Sequence, residues 1–169
     1  MIKVSINADS PLTVVQGADG VSATASQYGF TPVYVVVNNY RWQIPTRKLR
    51  EACTECNQRK EVAVINKTQP RLFLVPRTRG KTTNDRLMSD LIAAAESQRI
   101  TKLHFTHFGF SLGKLPETEV RIVLLHLKSK VDTLHLKEVV MDISPKVHAA
   151  FLKIYNEVFD TTLRQSAIE

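Results

Sequence analysis

Cysteine is scarce in this chain, which has only two, Cys53 and Cys56, in 169 residues. Small secreted domains are commonly held together by several disulfides, so this scarcity excludes a disulfide-built fold and favours a reduced protein. A zinc site needs four ligands, and there is no second cysteine pair to complete one. The pair also lies inside a predicted helix, whereas redox pairs usually open one, so we expect both thiols to be structural.

Long apolar runs are absent as well. No run approaches the roughly 20 residues that span a bilayer. The first ten residues, MIKVSINADS, lack the basic start and apolar block of a signal peptide. Hydrophobic residues make up 43 % of the chain, which is enough for an ordinary core. We therefore expect a cytoplasmic protein that forms a single domain over residues 1–169.

The usual catalytic and metal-binding patterns are missing too. Paired carboxylates do not occur in the predicted loops. His104 and His107 are three residues apart on a predicted strand, so their side chains point to opposite faces and are poorly placed to share a metal. We expect no metal and no cofactor, and the residues alone assign no catalytic group.

Positive charge is what the chain does have. Lysine and arginine total 23 against 16 aspartates and glutamates, which gives a net charge of +7 and a pI near 9.6. Such a balance favours an anionic partner, either a nucleotide or a nucleic acid. The basic residues lie in short groups, of which the clearest is Arg77, Arg79 and Lys81, and no run resembles a nucleic-acid-binding arm. A basic surface kept for solubility is the alternative.

Apolar and β-branched runs alternate with amphipathic stretches. The runs predict a sheet that includes residues 33–37, 62–65, 71–75, 102–107 and 137–142, with further short strands at 2–6 and 12–15. Helices are predicted near 46–57, 84–98 and 116–128 and from 145 onward. Strands that alternate with helices indicate an α/β fold, a three-layer α/β/α sandwich with a mixed, mostly parallel sheet. A hairpin over 61–76 supplies the antiparallel pair.

A short glycine-containing stretch joins the predicted strand at 102–107 to the next helix. Gly109 and Gly113 bracket Phe110, Ser111 and Leu112 there. Glycine suits a turn with positive φ or a close backbone approach, and a loop that leads into a helix N-terminus can hold a phosphate through main-chain N–H groups. The alternative is a plain connection, because most strand-to-helix joints bind nothing.

Three further side chains are ambiguous. Asp19 lies in the turn-like segment QGADG, where it could form an Asx turn or accept a hydrogen bond from an adenine amino group or a ribose hydroxyl. Tyr40 and Trp42 could stack on a base, including one of a nucleic acid, or cover the edge of the sheet.

Several segments, in order, resemble those of a macro domain, the ADP-ribose-binding α/β/α module. The segments are LTVVQGAD, PVYVVVNN, EVAVINK, RLFLVPRTRGKTT, HFGFSLGKLPETE and LKEVVMDISPKVHAAFLKIY, and they cover roughly residues 12–160. The strand and basic loop RLFLVPRTRGKTTNDRL is most similar to the subgroup of terminal ADP-ribose glycohydrolases and DNA-ADP-ribose hydrolases.

The resemblance implies a set of ligand contacts. Asp19 would contact adenine, Asn38 and Asn39 would lie near the distal ribose, and the backbone of residues 109–113 would cradle the pyrophosphate. It thus implies binding of ADP-ribose, a related nucleotide or an ADP-ribosylated macromolecule.

The chain also departs from the family pattern. The segment Tyr40–Pro45 replaces the family's first glycine-rich loop, unless Gly17–Val21 aligns with that loop instead. Gly113 stands where the glycohydrolase subgroup has an aspartate. Activity is therefore uncertain. The alternatives to simple binding are an ADP-ribosyl or ADP-ribose-phosphate hydrolase, or a degenerate macro fold whose basic surface binds nucleic acid or protein.

Overall fold

The computed structural model describes residues 2–7, 13–25, 32–65, 68–77, 81–106 and 117–161. The strands within these ranges are β1 (Lys3–Asn7), β2 (Gly20–Thr24), β3 (Ala63–Ile65), β4 (Arg71–Val75), β5 (Lys102–Thr106) and β6 (Glu138–Asp142). The helices are α1 (Pro32–Asn39), α2 (Thr46–Arg59), α3 (Lys81–Ser97), α4 (Glu117–Ser129) and α5 (His148–Phe159). A turn of 3₁₀ helix, Pro145–Val147, precedes α5.

The six strands form one sheet in the order β1-β6-β5-β2-β4-β3. Every neighbouring pair is parallel except β3 with β4. Five strands therefore point the same way. We call the edge where they begin the amino edge and the edge where they end the carboxyl edge. The predicted mixed, mostly parallel sheet is confirmed, including its antiparallel hairpin.

Three helices cover one face of the sheet. Residues of α3, α4 and α5 pack there against strand side chains in the larger hydrophobic core, with Leu91, Leu124 and Phe151 fully buried near Phe73 and Phe105. Each of these helices repeats its apolar residues every three or four positions, so one stripe faces the sheet. This packing fixes the direction in which α3, α4 and α5 return from the carboxyl edge to the amino edge.

The helices α1 and α2 cover part of the other face. Val33 and Val37 of α1 and Leu49 of α2 pack there with Leu72 and Leu74 of β4. With helices on both faces, the three-layer α/β/α sandwich is confirmed.

Both cysteines belong to this second core. Cys53 and Cys56 are buried as thiols, and the Cys56 thiol donates a hydrogen bond to the Glu61 carbonyl at 3.1 Å. Burial, together with the neighbouring Cys53, raises the pKa of Cys56 to about 12 against a smaller opposing effect of the Ala63 main chain. A thiol in this state is a packing group rather than a nucleophile.

The prediction of a strand at 33–37 is wrong, because these residues lie in α1. Val33, Val36 and Val37 are the buried residues, a spacing of three and four that belongs to a helix packed against a sheet. A short β-branched run is ambiguous by pattern, and here packing outweighs the β propensity. Pro32, at the first helical position, was the available signal.

The central strand β2 was also misplaced. Residues 13–15 of the predicted strand at 12–15 are not in a strand, and the strand is Gly20–Thr24 instead. This segment, GVSAT, is small and polar in appearance, yet residues 20–23 are buried between β4 and β5. Gly20 fits because an added Cβ would come within 2.9 Å of an Ile100 methyl group and 3.1 Å of the Phe73 ring. The other predicted strands agree with the observed ones to within about a residue.

Candidate functional site

The carboxyl edge is the place where this fold brings loops together. The ends of β1, β2, β5 and β6 meet there at Asn7, Thr24, Thr106 and Asp142. In open α/β sheets, ligands bind in the crevice outside the carboxyl ends of parallel strands. The carboxyl edge is therefore the candidate functional site.

The predicted phosphate loop, Gly109 to Gly113, lies outside the described residues. Its flanks are described: β5 ends at Thr106 and α4 begins at Glu117. The predicted order of strand, connection and helix is therefore correct, and the connection leaves from the carboxyl edge. The phosphate contact itself stays a prediction.

A chain of buried polar groups lies beneath this edge. His104 and Asp142 are fully buried, and His104 Nε2 is 2.7 Å from Asp142 Oδ1. Asn7 Nδ2 donates to the same oxygen at 2.9 Å. On the other side of the imidazole, the Tyr40 hydroxyl is 2.8 Å from His104 Nδ1. The chain Tyr40–His104–Asp142–Asn7 thus links the end of α1 to the ends of β1 and β6.

The hydrogen-bond partners assign the proton positions in this chain. The main-chain N–H of Val15 donates to the Tyr40 hydroxyl at 3.1 Å, so the hydroxyl proton is available for His104 Nδ1. An imidazole that accepts at Nδ1 carries its proton on Nε2, where it donates to Asp142. Burial raises the pKa of Tyr40 to about 12, with the Asp142 charge adding to it and the Val15 N–H opposing it. Tyr40 therefore stays a hydrogen-bond donor, and the chain holds the Asp142 carboxylate in one orientation.

Strand register places these side chains on one face. Asn7 pairs with Asp142, and His104 pairs with Val140, two residues before Asp142. Residues two apart on a strand share a face, so His104, Asp142 and Asn7 all lie on the side that carries α1 and α2. Tyr40 covers them from the end of α1 and stacks on Trp42, with ring centroids 4.9 Å apart. Tyr40 thus covers the interior strand β5 rather than an edge strand.

Asp19, predicted to contact adenine, lies at the opposite edge. Its carboxylate accepts hydrogen bonds from the main-chain N–H groups of Thr101, at 2.9 Å, and Lys102, at 2.8 Å, and from the Thr101 hydroxyl at 3.0 Å. These bonds join the start of β2 to the start of β5. The structure therefore gives Asp19 a structural role at the amino edge, where β2 and β5 begin, and its predicted contact with adenine stays a prediction.

Asn38 and Asn39, predicted to lie near the distal ribose, are the last two residues of α1. They are exposed at the last turn of α1, which begins after β2 has reached the carboxyl edge. Trp42, just beyond, donates its indole N–H to the carbonyl of Gln69, which precedes β4 at the amino edge. The end of α1 that carries the two asparagines is thus followed by a contact at the amino edge, and their place beside a ribose stays a prediction.

Sequence reasoning missed the buried chain altogether. The alternation of His104 and Thr106 along β5 was visible, but a lone histidine on a strand indicates nothing specific. Its partners are 38 and 64 residues away, and only the sheet order shows that they meet.

The described residues contain neither a cluster of metal ligands nor a helix that could span a membrane. No group of three or more histidine, cysteine, aspartate or glutamate side chains is placed to hold a metal ion there. None of the described helices has the length and hydropathy needed to cross a membrane.

Solved macro domains share this fold. The macro domain of ganglioside induced differentiation associated protein 2 superimposes with a TM-score of 0.70 at 13 % identity, covering 95 % of this chain and 86 % of that one. A Trypanosoma brucei macrodomain in complex with ADP-ribose gives 0.64 at 14 % identity, covering 92 % and 68 %. An Oceanobacillus iheyensis macrodomain with ADP gives 0.61 at 12 % identity, covering 93 % and 90 %.

Sequence comparison gives no such match. No family sequence model and no curated protein sequence matches the chain. The structural likeness establishes the fold, so the chain is a divergent protein with a macro-domain fold, as the resemblance predicted. The more specific similarity to the glycohydrolase subgroup stays a prediction.

Proposed function

We propose that this protein binds ADP-ribose, a related nucleotide or an ADP-ribosyl group at the carboxyl edge of its sheet. The observation that carries the proposal is the macro-domain fold, shared with structures solved with ADP-ribose and with ADP. The carboxyl edge of a mostly parallel sheet, from which the 107–116 connection leaves, is the physically favoured ligand position. The main-chain N–H groups of residues 109–113 are the proposed phosphate contacts, at the approach to the α4 N-terminus.

Calorimetry with ADP-ribose, AMP and a short DNA tests this proposal. We expect ADP-ribose to bind, and Gly109→Val to weaken it by about 1.5–3 kcal/mol, the loss of a hydrogen bond to a charged group, or roughly tenfold to a hundredfold. Ser111→Ala is the matched control, because the main chain rather than the hydroxyl makes the proposed contact. Circular dichroism establishes that both variants fold. Absence of binding at millimolar ADP-ribose, or wild-type affinity in Gly109→Val, would refute the proposal.

Hydrolysis of ADP-ribosyl groups is the alternative. A hydrolase here would have to use an ordered water and the substrate phosphate, because Gly113 offers no carboxylate. General acid–base catalysis commonly contributes about 10²–10⁴-fold, so we expect slow or absent release of ADP-ribose from modified protein or DNA. Turnover equal to that of an active glycohydrolase, abolished by replacing another carboxylate, would favour the hydrolase.

A cytoplasmic location stays a prediction.

A further inference from the structure

One side chain at the carboxyl edge has its hydrogen-bond donors occupied and its acceptor open to solvent. Asn7 is the last residue of β1 and is partly exposed. Its amide nitrogen donates to Asp142 Oδ1 at 2.9 Å and to the Thr13 carbonyl at 3.2 Å, with the Thr13 hydroxyl a further 3.3 Å contact. Both N–H bonds of the amide are therefore directed at acceptors of the protein.

The amide carbonyl of Asn7 is in a different state. Among the residues that the structure describes, none donates a hydrogen bond to Asn7 Oδ1, and this oxygen is not among the buried atoms without a partner. It is therefore accessible to solvent. A primary amide has two N–H donors and one acceptor oxygen. The acceptor is thus the part of Asn7 that a ligand can still use.

The orientation of this amide is fixed by its neighbour. Turning the amide over would set Asn7 Oδ1 against the carboxylate of Asp142, two acceptors with no proton between them. Asp142 is held in turn by His104 Nε2 at 2.7 Å, and His104 by the Tyr40 hydroxyl at 2.8 Å. The buried chain therefore keeps the Asn7 carbonyl turned away from Asp142. An acceptor that is already fixed loses less conformational entropy on binding than a mobile one.

We propose that Asn7 Oδ1 accepts a hydrogen bond from an N–H or O–H donor of the bound nucleotide. This inference rests on the proposed binding of ADP-ribose at the same edge. The adenine amino group and the ribose hydroxyls are the available donors, because an ionised pyrophosphate carries acceptors only. Phosphate oxygens are also repelled by the carbonyl oxygen and by the Asp142 charge behind it. Asn7 is therefore a specificity-determining residue that recognises the nucleoside or ribose part of the ligand.

Calorimetry with analogues of ADP-ribose tests the proposal, because each analogue removes one source of donors. Hypoxanthine replaces adenine in the first, the 2′- or the 3′-hydroxyl of the adenosine is absent in the second and third, and ADP lacks the distal ribose. We expect Asn7→Ala to bind ADP-ribose about twofold to tenfold more weakly than wild type, the effect of one hydrogen bond. The penalty for one of the four ligand changes should be smaller in Asn7→Ala by the same factor, and that change identifies the donor.

Ser5→Ala is the matched control. It removes a hydroxyl from the same strand, two residues earlier and on the same face, where the hydroxyl donates to Glu138. It should keep the wild-type penalty for every analogue. Circular dichroism establishes that the variants fold. Should Asn7→Ala not fold, Asn7→Gln replaces it, because the longer side chain keeps the amide but displaces the carbonyl.

Two results would overturn the role of Asn7 and leave the carboxyl-edge site in place. The first is ADP-ribose binding in which every analogue has the same penalty in wild type and in the Asn7 variant. The second is an equal change of the penalties in Ser5→Ala, which would assign the effect to a general disturbance of β1. Absence of ADP-ribose binding by wild type would instead refute the proposed function, and this inference with it.

Discussion

The two edges of the sheet use carboxylates in different ways. At the amino edge, Asp19 and Glu96 accept main-chain N–H groups and so close the connections between elements. At the carboxyl edge, Asp142 accepts side chains, from Asn7 and from His104, and is fully buried. A carboxylate that joins main-chain segments is a structural group. Asp142 instead joins side chains of three segments beneath the strand ends. An aspartate next to a glycine can thus be a structural group, as Asp19 is here.

Removal of the buried Asp142 is expected to have the largest effect. Asp142→Ala leaves the imidazole N–H of His104 and the amide of Asn7 without their shared acceptor in a buried site. A buried donor left unsatisfied costs about 1–3 kcal/mol, and two donors lose their acceptor here, so we expect a loss of about 2–5 kcal/mol. Urea unfolding measures this loss. Asp142→Asn retains an acceptor and should lose less, and equal stability of Asp142→Ala and wild type would contradict the network as described.

The variant Asp19→Ala tests the structural role of the amino edge separately from ligand binding at the carboxyl edge. We expect it to lower the free energy of unfolding by about 1.5–3 kcal/mol, because the carboxylate accepts hydrogen bonds from two main-chain N–H groups and a hydroxyl. Nucleotide affinity should not change, since Asp19 lies at the edge opposite the proposed site. Asp132→Ala, an exposed aspartate, is the control for charge. A loss of affinity with unchanged stability would restore the ligand role that the resemblance implies.

The sequence predicted the fold better than the site, for a physical reason. Strands such as β4 and β5 are continuous apolar runs between turn signals, and helices such as α3 repeat their apolar residues at one period. These patterns are local. The position of Asp19 depends instead on which strand β2 lies beside, and β2 has few β-forming residues. The resemblance aligned LTVVQGAD and PVYVVVNN with two family strands, and the predicted roles of Asp19 and of Asn38 and Asn39 followed from these two alignments.

The buried chain of polar groups could not be predicted from the sequence for a similar reason. No local pattern connects Tyr40, His104 and Asp142, because they come from three distant segments of the chain. The pairing of β5 with β6 brings His104 to Asp142, and the turn after α1 brings Tyr40 to His104. Hydrophobic periodicity along the sequence cannot reveal a site whose residues come from distant segments of the chain.

Loss of the Tyr40 hydroxyl is expected to have a smaller effect. Tyr40→Phe keeps the ring on Trp42 but removes the partner of His104 Nδ1 and of the Val15 N–H, at a cost of about 1–2 kcal/mol. The pKa of Tyr40, raised to about 12 by burial and the Asp142 charge, also predicts a spectroscopic result. Absorbance at the tyrosinate band, wild type minus Tyr40→Phe, should stay flat until about pH 11. A difference that rises near pH 10 would mean that Tyr40 is exposed to solvent.

The smallest expected effect belongs to Glu96 at the amino edge, and it depends on pH. Burial tends to raise the pKa of Glu96, but hydrogen bonds from the Leu136, His135 and Leu134 N–H groups outweigh it and lower the pKa below the ordinary value of 4.5. A lowered pKa in the folded state means that the ionised carboxylate adds stability at pH values above the ordinary pKa. This stability is lost as the pH falls through the folded-state pKa.

Glu96→Gln should therefore be less stable than wild type at pH 7, by about 0.5–1 kcal/mol for a solvent-screened carboxylate. The difference should shrink as the pH is lowered from about 4.5 toward the folded-state pKa, because wild type then loses the charge that the variant lacks. Urea unfolding of both proteins at several pH values measures it, with Glu61→Gln as the control for loss of an exposed carboxylate. A difference that is constant with pH would mean that geometry rather than charge makes Glu96 useful. The carboxylates of the two edges would then differ in their burial and not in the contribution of their charge to stability.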